Sequence, residues 1–410
     1  MERQYKDIQY YKFCFYGFLK NLKFFEPFFI LFLLEKGLSF TQIALLYSVR
    51  EIIIYITEIP TGIIADTLGR KRTMVFSFGF YIISFILFYF LNNFGFLLFA
   101  MVFFAFGDSF RTGTHKAMIF EYLNIKSWQN QKVHYYGGTR SCSQIGSAIS
   151  SLIAAAIVFL TKNYDIVFLV SIIPFFLDML LIISYPNELD GDKVPLKVPH
   201  IITAFKKIAK GLILNLKQKG KLKILLNVSS YSGYFKQTKD YLQYIIQTLA
   251  VSIPLIVGIT QKQQTAVFIG IVFFVIYLLT SSASKNSGKI KTFFSDSSKA
   301  LNKLLFLGVI IGFVGGIFFH YSMYGLSILF FVFMYLIENF RKPIGVAYVA
   351  ENFSSKSLAT TLSVESLTKT IFASLIAIVL GFLADVFGVG IALSVVSVVV
   401  FLLGSFLRLK

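Results

Sequence analysis

The chain is poor in charge. Of its 410 residues only 14% are Asp, Glu, Lys or Arg, where a soluble protein carries about 25%. A large soluble all-helical protein would need helices with polar outer faces, and stretches such as "MVFSFGFYIISFILFYFL" are apolar all round. Cysteine is scarce too. Cys14 and Cys142 both fall in or beside apolar runs, and two such cysteines do not indicate a disulfide framework. There are four histidines, and His115 alone lies well inside an apolar run, a poor basis for a transition-metal centre. The sequence has no Walker A loop, no HExxH and no G-x-S-x-G elbow, so neither P-loop ATP hydrolysis nor metalloprotease or serine-hydrolase chemistry is expected. No enzyme activity and no cofactor are implied. The opening "MERQYKDIQYYKF" is charged and lacks a small-residue cleavage site, so no cleaved signal peptide is expected.

What the chain has is grease. Apolar residues make up 56%, with a mean hydropathy of +0.73. Runs of about twenty apolar residues, the length that crosses a bilayer as helix, recur from end to end. We expect an all-α polytopic membrane protein with twelve spans, near 10–34, 41–65, 73–91, 96–122, 136–161, 165–184, 224–250, 264–282, 301–319, 323–340, 358–383 and 389–407. The longest loop is Lys-rich and divides the chain into an N-terminal half (1–184), a connector (185–222) and a C-terminal half (223–410). Within the connector, Ile201 to Leu216 reads as an amphipathic helix on the membrane surface.

The formal charge of +19 would suggest nucleic-acid binding in a soluble protein. Here topology explains it. One alternating set of loops carries Arg70, Lys71 and Arg72, then Lys126 and Lys132, then the connector, then Lys285, Lys289 and Lys291, then Arg341, Lys342 and Lys356. The other set carries Lys36, Lys162 and Lys262. The positive-inside rule therefore puts both termini in the cytoplasm.

The loop after the second span reads G-x-x-x-D-x-x-G-R-K-R from Gly62 to Arg72. Gly62, Asp66, Gly69, Arg70 and Lys71 resemble the signature loop between helices 2 and 3 of the major facilitator superfamily. "SLATTLSVES", Ser357 to Ser366, resembles the run that opens helix 11 in many bacterial members, with Leu358 at the arginine position. The resemblance implies two pseudo-symmetric six-helix bundles with substrate between them, and peripheral helices 3, 6, 9 and 12. Spans 3 and 12 have no interior charge, while spans 6 and 9 offer Asp178 and, near one end, Lys303. The resemblance also implies that Asp66 contacts the positive N-terminal end of helix 11, near Ser357. Arg70 would reach Glu121 at the inner end of span 4, and Gly62 would let span 2 lie close to a neighbour. Together these residues form a candidate cytoplasmic gate; the bland alternative is that the charges serve topology alone.

Charge inside a membrane is costly and marks function by default. Span 4 places Asp108, Arg111, Thr112 and His115 at spacings of three, four and seven, one face of a continuous helix. They read either as a polar wall of a substrate cavity or, for Asp108 and Arg111, as a self-neutralising structural pair. Lys12, Lys20, Lys23 and Glu26 interrupt span 1, and span 7 carries Lys236, Lys239, Asp240 and Tyr241 as a counterpart from the other half. Both clusters read as substrate-binding or as local pairs, Lys236 with Asp240 and Lys239 with Gln243. Glu26, Glu51, Glu58, Asp108 and Glu365 are candidate proton carriers, Glu365 equally a partner of Lys369. Glu338 reads as a helix-end charge beside Arg341 and Lys342.

These features predict a secondary active transporter of a small organic solute, anionic or zwitterionic, working by alternating access with H+ as coupling ion. An exporter of drugs or metal ions on the same fold, or a non-transporting receptor or scaffold, are the alternatives. The expected setting is the bacterial plasma membrane, as a monomer among lipids, with no nucleic-acid partner.

Overall fold

The computed structural model describes residues 6–129, 132–190, 203, 206, 219–292, 296–353 and 358–409. Among them the regular structure is helical, with no strand. The α-helices are α1 (Ile8–Leu19), α2 (Phe29–Glu35), α3 (Phe40–Leu68), α4 (Arg70–Phe90), α5 (Phe94–Arg111), α6 (Thr114–Ile125), α7 (Lys132–Thr161) and α8 (Ile166–Ile183). They continue with α9 (Lys219–Thr238), α10 (Leu242–Ser252), α11 (Gln261–Thr292), α12 (Ser297–His320), α13 (Tyr324–Asn352), α14 (Leu358–Phe387) and α15 (Val389–Phe406). The connector's expected surface helix lies outside the described residues, Thr203 and Lys206 apart.

Ten helical segments among the described residues are long and apolar enough to cross a bilayer. The chain is a multi-pass membrane protein. The two expected spans that do not qualify as single segments are the first and the seventh, and both are broken. In the first, α1 ends at Leu19 and a 3-10 turn, Glu26–Phe28, with Pro27 inside it, leads into α2. In the seventh, α9 ends at Thr238 and a 3-10 turn, Lys239–Tyr241, leads into α10. Span 4 is also interrupted, because Gly113 has φ +81°, a left-handed conformation that ends a helix at low cost only for glycine.

Two helices overrun their expected ends. α13 continues past 340 to Asn352, so Arg341 and Lys342 lie inside a helix and not in a loop. α11 runs to Thr292.

The chain forms two compact units. The first comprises Met1–Phe29, Ile53–Ile202 and Gly258–Leu278. Here α4 packs on α5 and α8, and α1 on α7. Ser77 donates to the Gly107 carbonyl (2.7 Å) and Ser84 to the Ala100 carbonyl (2.8 Å), hydrogen bonds worth about 0.6–2 kcal/mol each between membrane helices. Gly107 is required by this approach: a Cβ there would lie 2.9 Å from the Tyr81 ring. Phe85 sits among Phe104, Phe168 and Phe175, an aromatic core that needs no polar seam.

The second unit comprises Ile30–Ile52, Thr203–Val257 and Leu279–Lys410. α12 packs on α13 and α15, and α9 on α14. The Asp385 carboxylate accepts the backbone N–H groups of Phe40 and Thr41, each at 2.8 Å. It thereby caps the otherwise unpaired donors at the start of α3.

Arg341 is the largest fully buried side chain, 1% exposed. It donates to the carbonyls of Asn227 (2.8 Å), Val228 (3.2 Å) and Leu301 (3.4 Å) and to Asn227 Oδ1 (3.0 Å). Its guanidinium lies 5.0 Å from the Tyr231 ring centroid. The fork geometry of arginine lets one side chain tie α9, α12 and α13 together. As a topological loop charge it would have done none of this.

Candidate functional site

The first unit holds a polar cluster inside apolar helix. Asp108 and Arg111, one turn apart at the end of α5, form an ion pair at 3.2 Å. Tyr81 of α4 donates its hydroxyl to Asp108 Oδ1, and Arg111 Nε donates to the Tyr81 hydroxyl at 3.0 Å. The three form a closed triangle, so Asp108 is committed on one oxygen to two donors. Thr112 returns its hydroxyl to the Asp108 carbonyl (2.7 Å) and is exposed.

The break at Gly113 puts His115 on α6, so the expected single face of Asp108, Arg111, Thr112 and His115 is divided between two helices. His115 instead stacks on Tyr16 of α1, with ring centroids 3.6 Å apart. Its Nε2 lies 3.2 Å from the Tyr185 hydroxyl. Lys20, the residue that ends α1, lies 5.5 Å from the Tyr16 ring centroid. Lys23 and Glu26 follow in the break between α1 and α2.

Asp178 of α8 completes the cluster. It is 0% exposed, and neither carboxylate oxygen has a hydrogen-bond partner among the described residues. Lys20 and Arg111 are the charges that act on it. A peripheral helix 6, as the family resemblance implies, gives Asp178 no role. The signal was present: Asp178 is the lone charge in "IVFLVSIIPFFLDMLLII".

The second unit holds the other charges. Lys236 pairs with Glu51 at 2.5 Å and not with Asp240. Arg50 and Lys369 also act on Lys236. Lys239 pairs with its neighbour Asp240, and Gln243 Oε1 accepts the Ile30 N–H at 2.8 Å. The expected i,i+4 pairing of Lys236 with Asp240 is thus replaced because the 3-10 turn at Lys239–Tyr241 disturbs helical spacing. Asp240 and Tyr241 line a small pocket with Gln237, Tyr47, Ile30 and Ile43. Lys369, Lys342 and Arg341 are the cations acting on Glu365. Glu338 is buried, accepts from Ser232 at 3.1 Å, and lies in the field of Lys342 and Arg341. It belongs to the packed interior and is not a helix-end charge.

A short internal repeat went unread in the sequence. Asp108-Ser109-Phe110-Arg111 in span 4 and Glu338-Asn339-Phe340-Arg341 in span 10 share acid–x–Phe–Arg. Each arginine acts on a tyrosine, Tyr16 of α1 and Tyr231 of α9 respectively.

At the signature loop, Arg70 lies 3.6 Å from Glu121. Gly69 has φ +96°, and a Cβ there would lie 2.8 Å from Asp190 Cγ. Asp190 Oδ1 accepts the Lys71 N–H at 2.7 Å, supplying an acceptor at the start of α4. Lys71 Nζ donates to the Tyr185 carbonyl (2.6 Å) and Asn187 Oδ1 (2.9 Å). Asp190 and Asn187 were missed because nothing in their spacing ties them to residues 69–71. Gly62 is exposed, and a Cβ there would meet nothing within 4 Å among the described residues, so among them it makes no close helix packing. The side chain of Asp66, and Ser357, lie outside the described residues. Glu58 lies on α3. Among the described residues no group of three or more His, Cys, Asp or Glu is placed to hold a metal.

Broken membrane helices carrying charge, and a Gly-Arg-Lys-Arg loop at a helix start, are features of a solute transporter. The family model described as Major Facilitator Superfamily matches residues 13–337. The chain belongs to that superfamily. Similar proteins agree. An uncharacterized MFS-type transporter of Bacillus subtilis (strain 168), YxaM, is 37% identical over 90 residues, 22% of this chain and 23% of that one. The chain thus aligns with about a quarter of that relative's length. Among solved structures, a peptide transporter POT in complex with sulfate has 13% identity and TM-score 0.73, over 97% of this chain and 93% of that one. A POT family transporter with 5-aminolevulinic acid has 15% identity and TM-score 0.68, over 97% and 93%. The nucleoside transporter NupG has 12% identity and TM-score 0.74, over 97% and 96%. At such identities the structures establish a shared fold. Membership of a transporter superfamily identifies the chain as a transporter and not an enzyme.

Proposed function

We propose that the chain is a proton-coupled secondary transporter of a small anionic or zwitterionic organic solute. It works by alternating access on a frame of twelve spans in two six-helix halves. One observation carries this reading. The breaks in the first and seventh helical spans fall at Lys20–Glu26 and Lys239–Tyr241, where the sequence concentrates its charge. Non-helical backbone at membrane depth is tolerated where it is buried in protein or lines a polar cavity, and transporters place their binding residues on such discontinuous helices. Lys20, Lys23, Arg111, Lys236 and Lys239 supply the positive potential for an anionic group. Asp108, Glu51 and Glu365 are the carboxylates from which a coupling proton is drawn, with Glu26 and Glu58 as further candidates.

The signature loop serves as cytoplasmic gate in this reading. Arg70 and Glu121 hold it within the first unit, and Asp66 is the acidic member of the gate. Both termini face the cytoplasm and the protein resides in the plasma membrane as a monomer. The zwitterions of peptides and 5-aminolevulinic acid, crystallised with the solved POT transporters, are sensible first solutes. The experiment is uptake of labelled solutes by proteoliposomes of the purified chain under an imposed pH gradient. Accumulation that collapses with the gradient supports the reading; flux indifferent to pH removes the proton.

A further inference from the structure

We propose that Asp178 is a reversible proton-binding site inside the first unit, and that its charge state sets how much positive potential Lys20 and Arg111 present to an anionic solute. This deepens, and rests on, the proton-coupled reading above. Three observations converge on it. Asp178 is fully buried. Both of its carboxylate oxygens are without a hydrogen-bond partner among the described residues. Its own helix, α8, is otherwise apolar, apart from Ser171. A carboxylate so placed is costly as an anion unless charges compensate it, and as the neutral acid it fits its surroundings.

The surroundings also supply a reason for the proton to come and go. Lys20, at the end of α1, and Arg111, at the end of α5, are the cations acting on Asp178. Tyr16 of α1 and Tyr185, which follows α8, feel its charge in turn. Arg111 is already shared with Asp108 and Tyr81. Lys20, half-buried, also feels Lys23 and, from α7, Arg140. His115 of α6 lies against Tyr16 and in the field of Lys20 and Arg111. With Asp178 ionised, one negative charge offsets this positive group. With a proton on Asp178 that offset is gone, and Lys20 and Arg111 are left to draw an anionic group. Proton and anion therefore bind together, and each favours the other through one electrostatic term.

Asp178 would act as a positioning group for charge and need not touch the solute. A fixed structural acid would stay protonated at every pH, and a permanent ion pair with Lys20 would stay ionised. Asp178 instead passes between the two states as pH changes.

The test is pH-step infrared difference spectroscopy on the purified full chain in lipid. The expected result is a protonated-carboxyl stretch that disappears on stepping from mildly acid to mildly alkaline pH. It should shift on incorporation of 13C-carboxyl aspartate and be missing in Asp178→Asn but present in Asp108→Asn. The isotope arm needs no substitution and assigns the band to an aspartate; the two variants then assign it to Asp178. Because Asn copies the neutral acid, Asp178→Asn should keep the wild-type unfolding midpoint at acid pH. An aspartate band that never titrates, a titrating band that survives Asp178→Asn, or none at all would each overturn the assignment. Flux that ignores the pH gradient, beside an Asp178 band that titrates, would remove proton coupling and leave the proton site standing.

Discussion

Replacing either member of the Glu51–Lys236 pair should destabilise the protein unequally, and the inequality follows from burial. Glu51 has 4% of its side chain exposed and Lys236 has 36%. Lys236→Met leaves a buried carboxylate with its main partner gone, a loss of about 3 kcal/mol. Glu51→Gln leaves an ammonium that is about one-third exposed, and the loss is about 1 kcal/mol once screening is allowed for. A charged hydrogen bond contributes about 1.5–3 kcal/mol; with Lys236 about one-third exposed, the lower end applies. The double variant Glu51→Gln/Lys236→Met should therefore cost less than the sum of the singles by about 1.5 kcal/mol, roughly tenfold in the unfolding equilibrium. Denaturant unfolding of the detergent-solubilised protein, followed by fluorescence, reads all four corners of the cycle. If Lys236→Met proves no worse than Glu51→Gln, or the double equals the sum, the pair contributes nothing beyond its separate members and the reasoning fails.

Arg341→Met should lower stability by about 3 kcal/mol, since three backbone carbonyls and Asn227 lose their donor; Arg341→Lys should not restore it, because an ammonium lacks the fork. Unfolding midpoints check both. Asp190→Ala should cost about 1 kcal/mol by removing the acceptor at the start of α4, and Gly69→Ala about as much or more from its left-handed φ. Both are read by the same unfolding assay. In transport assays Asp66→Asn should cripple flux while leaving membrane abundance intact; loss of protein instead would return the loop to a purely topological role.

Much of the fold was legible because its signal is local. Runs of apolar residues mark the membrane helices, and the charges at Lys20–Glu26 interrupt the first of them; the break in the seventh was not legible, because Lys236 and Asp240 fit the spacing of an unbroken helix. The pairing of those charges was not legible. Spacing along a helix predicts Lys236 with Asp240, but a 3-10 turn and the long-range Glu51 decide otherwise. Arg341 looked like a loop charge because basic residues at the end of an apolar run usually stay in water; its burial depends on carbonyls from α9 and α12 that no local pattern reveals. Gly113 was readable as a helix break and was passed over because the polar residues around it matched a helical face. Asp178 was visible as the lone charge of its span, and the expectation of a peripheral helix hid its meaning.

In the proposed mechanism proton binding and solute movement are one process. The pH change inside proteoliposomes, during uptake of an anionic or zwitterionic solute drawn from a broad panel, reads this coupling. Solute and protons should enter together, and an acid-outside gradient should drive accumulation. Asp178→Asn should abolish the dependence on the gradient. Solute flux with no accompanying proton movement, or no flux from any member of the panel under any imposed gradient, would contradict it.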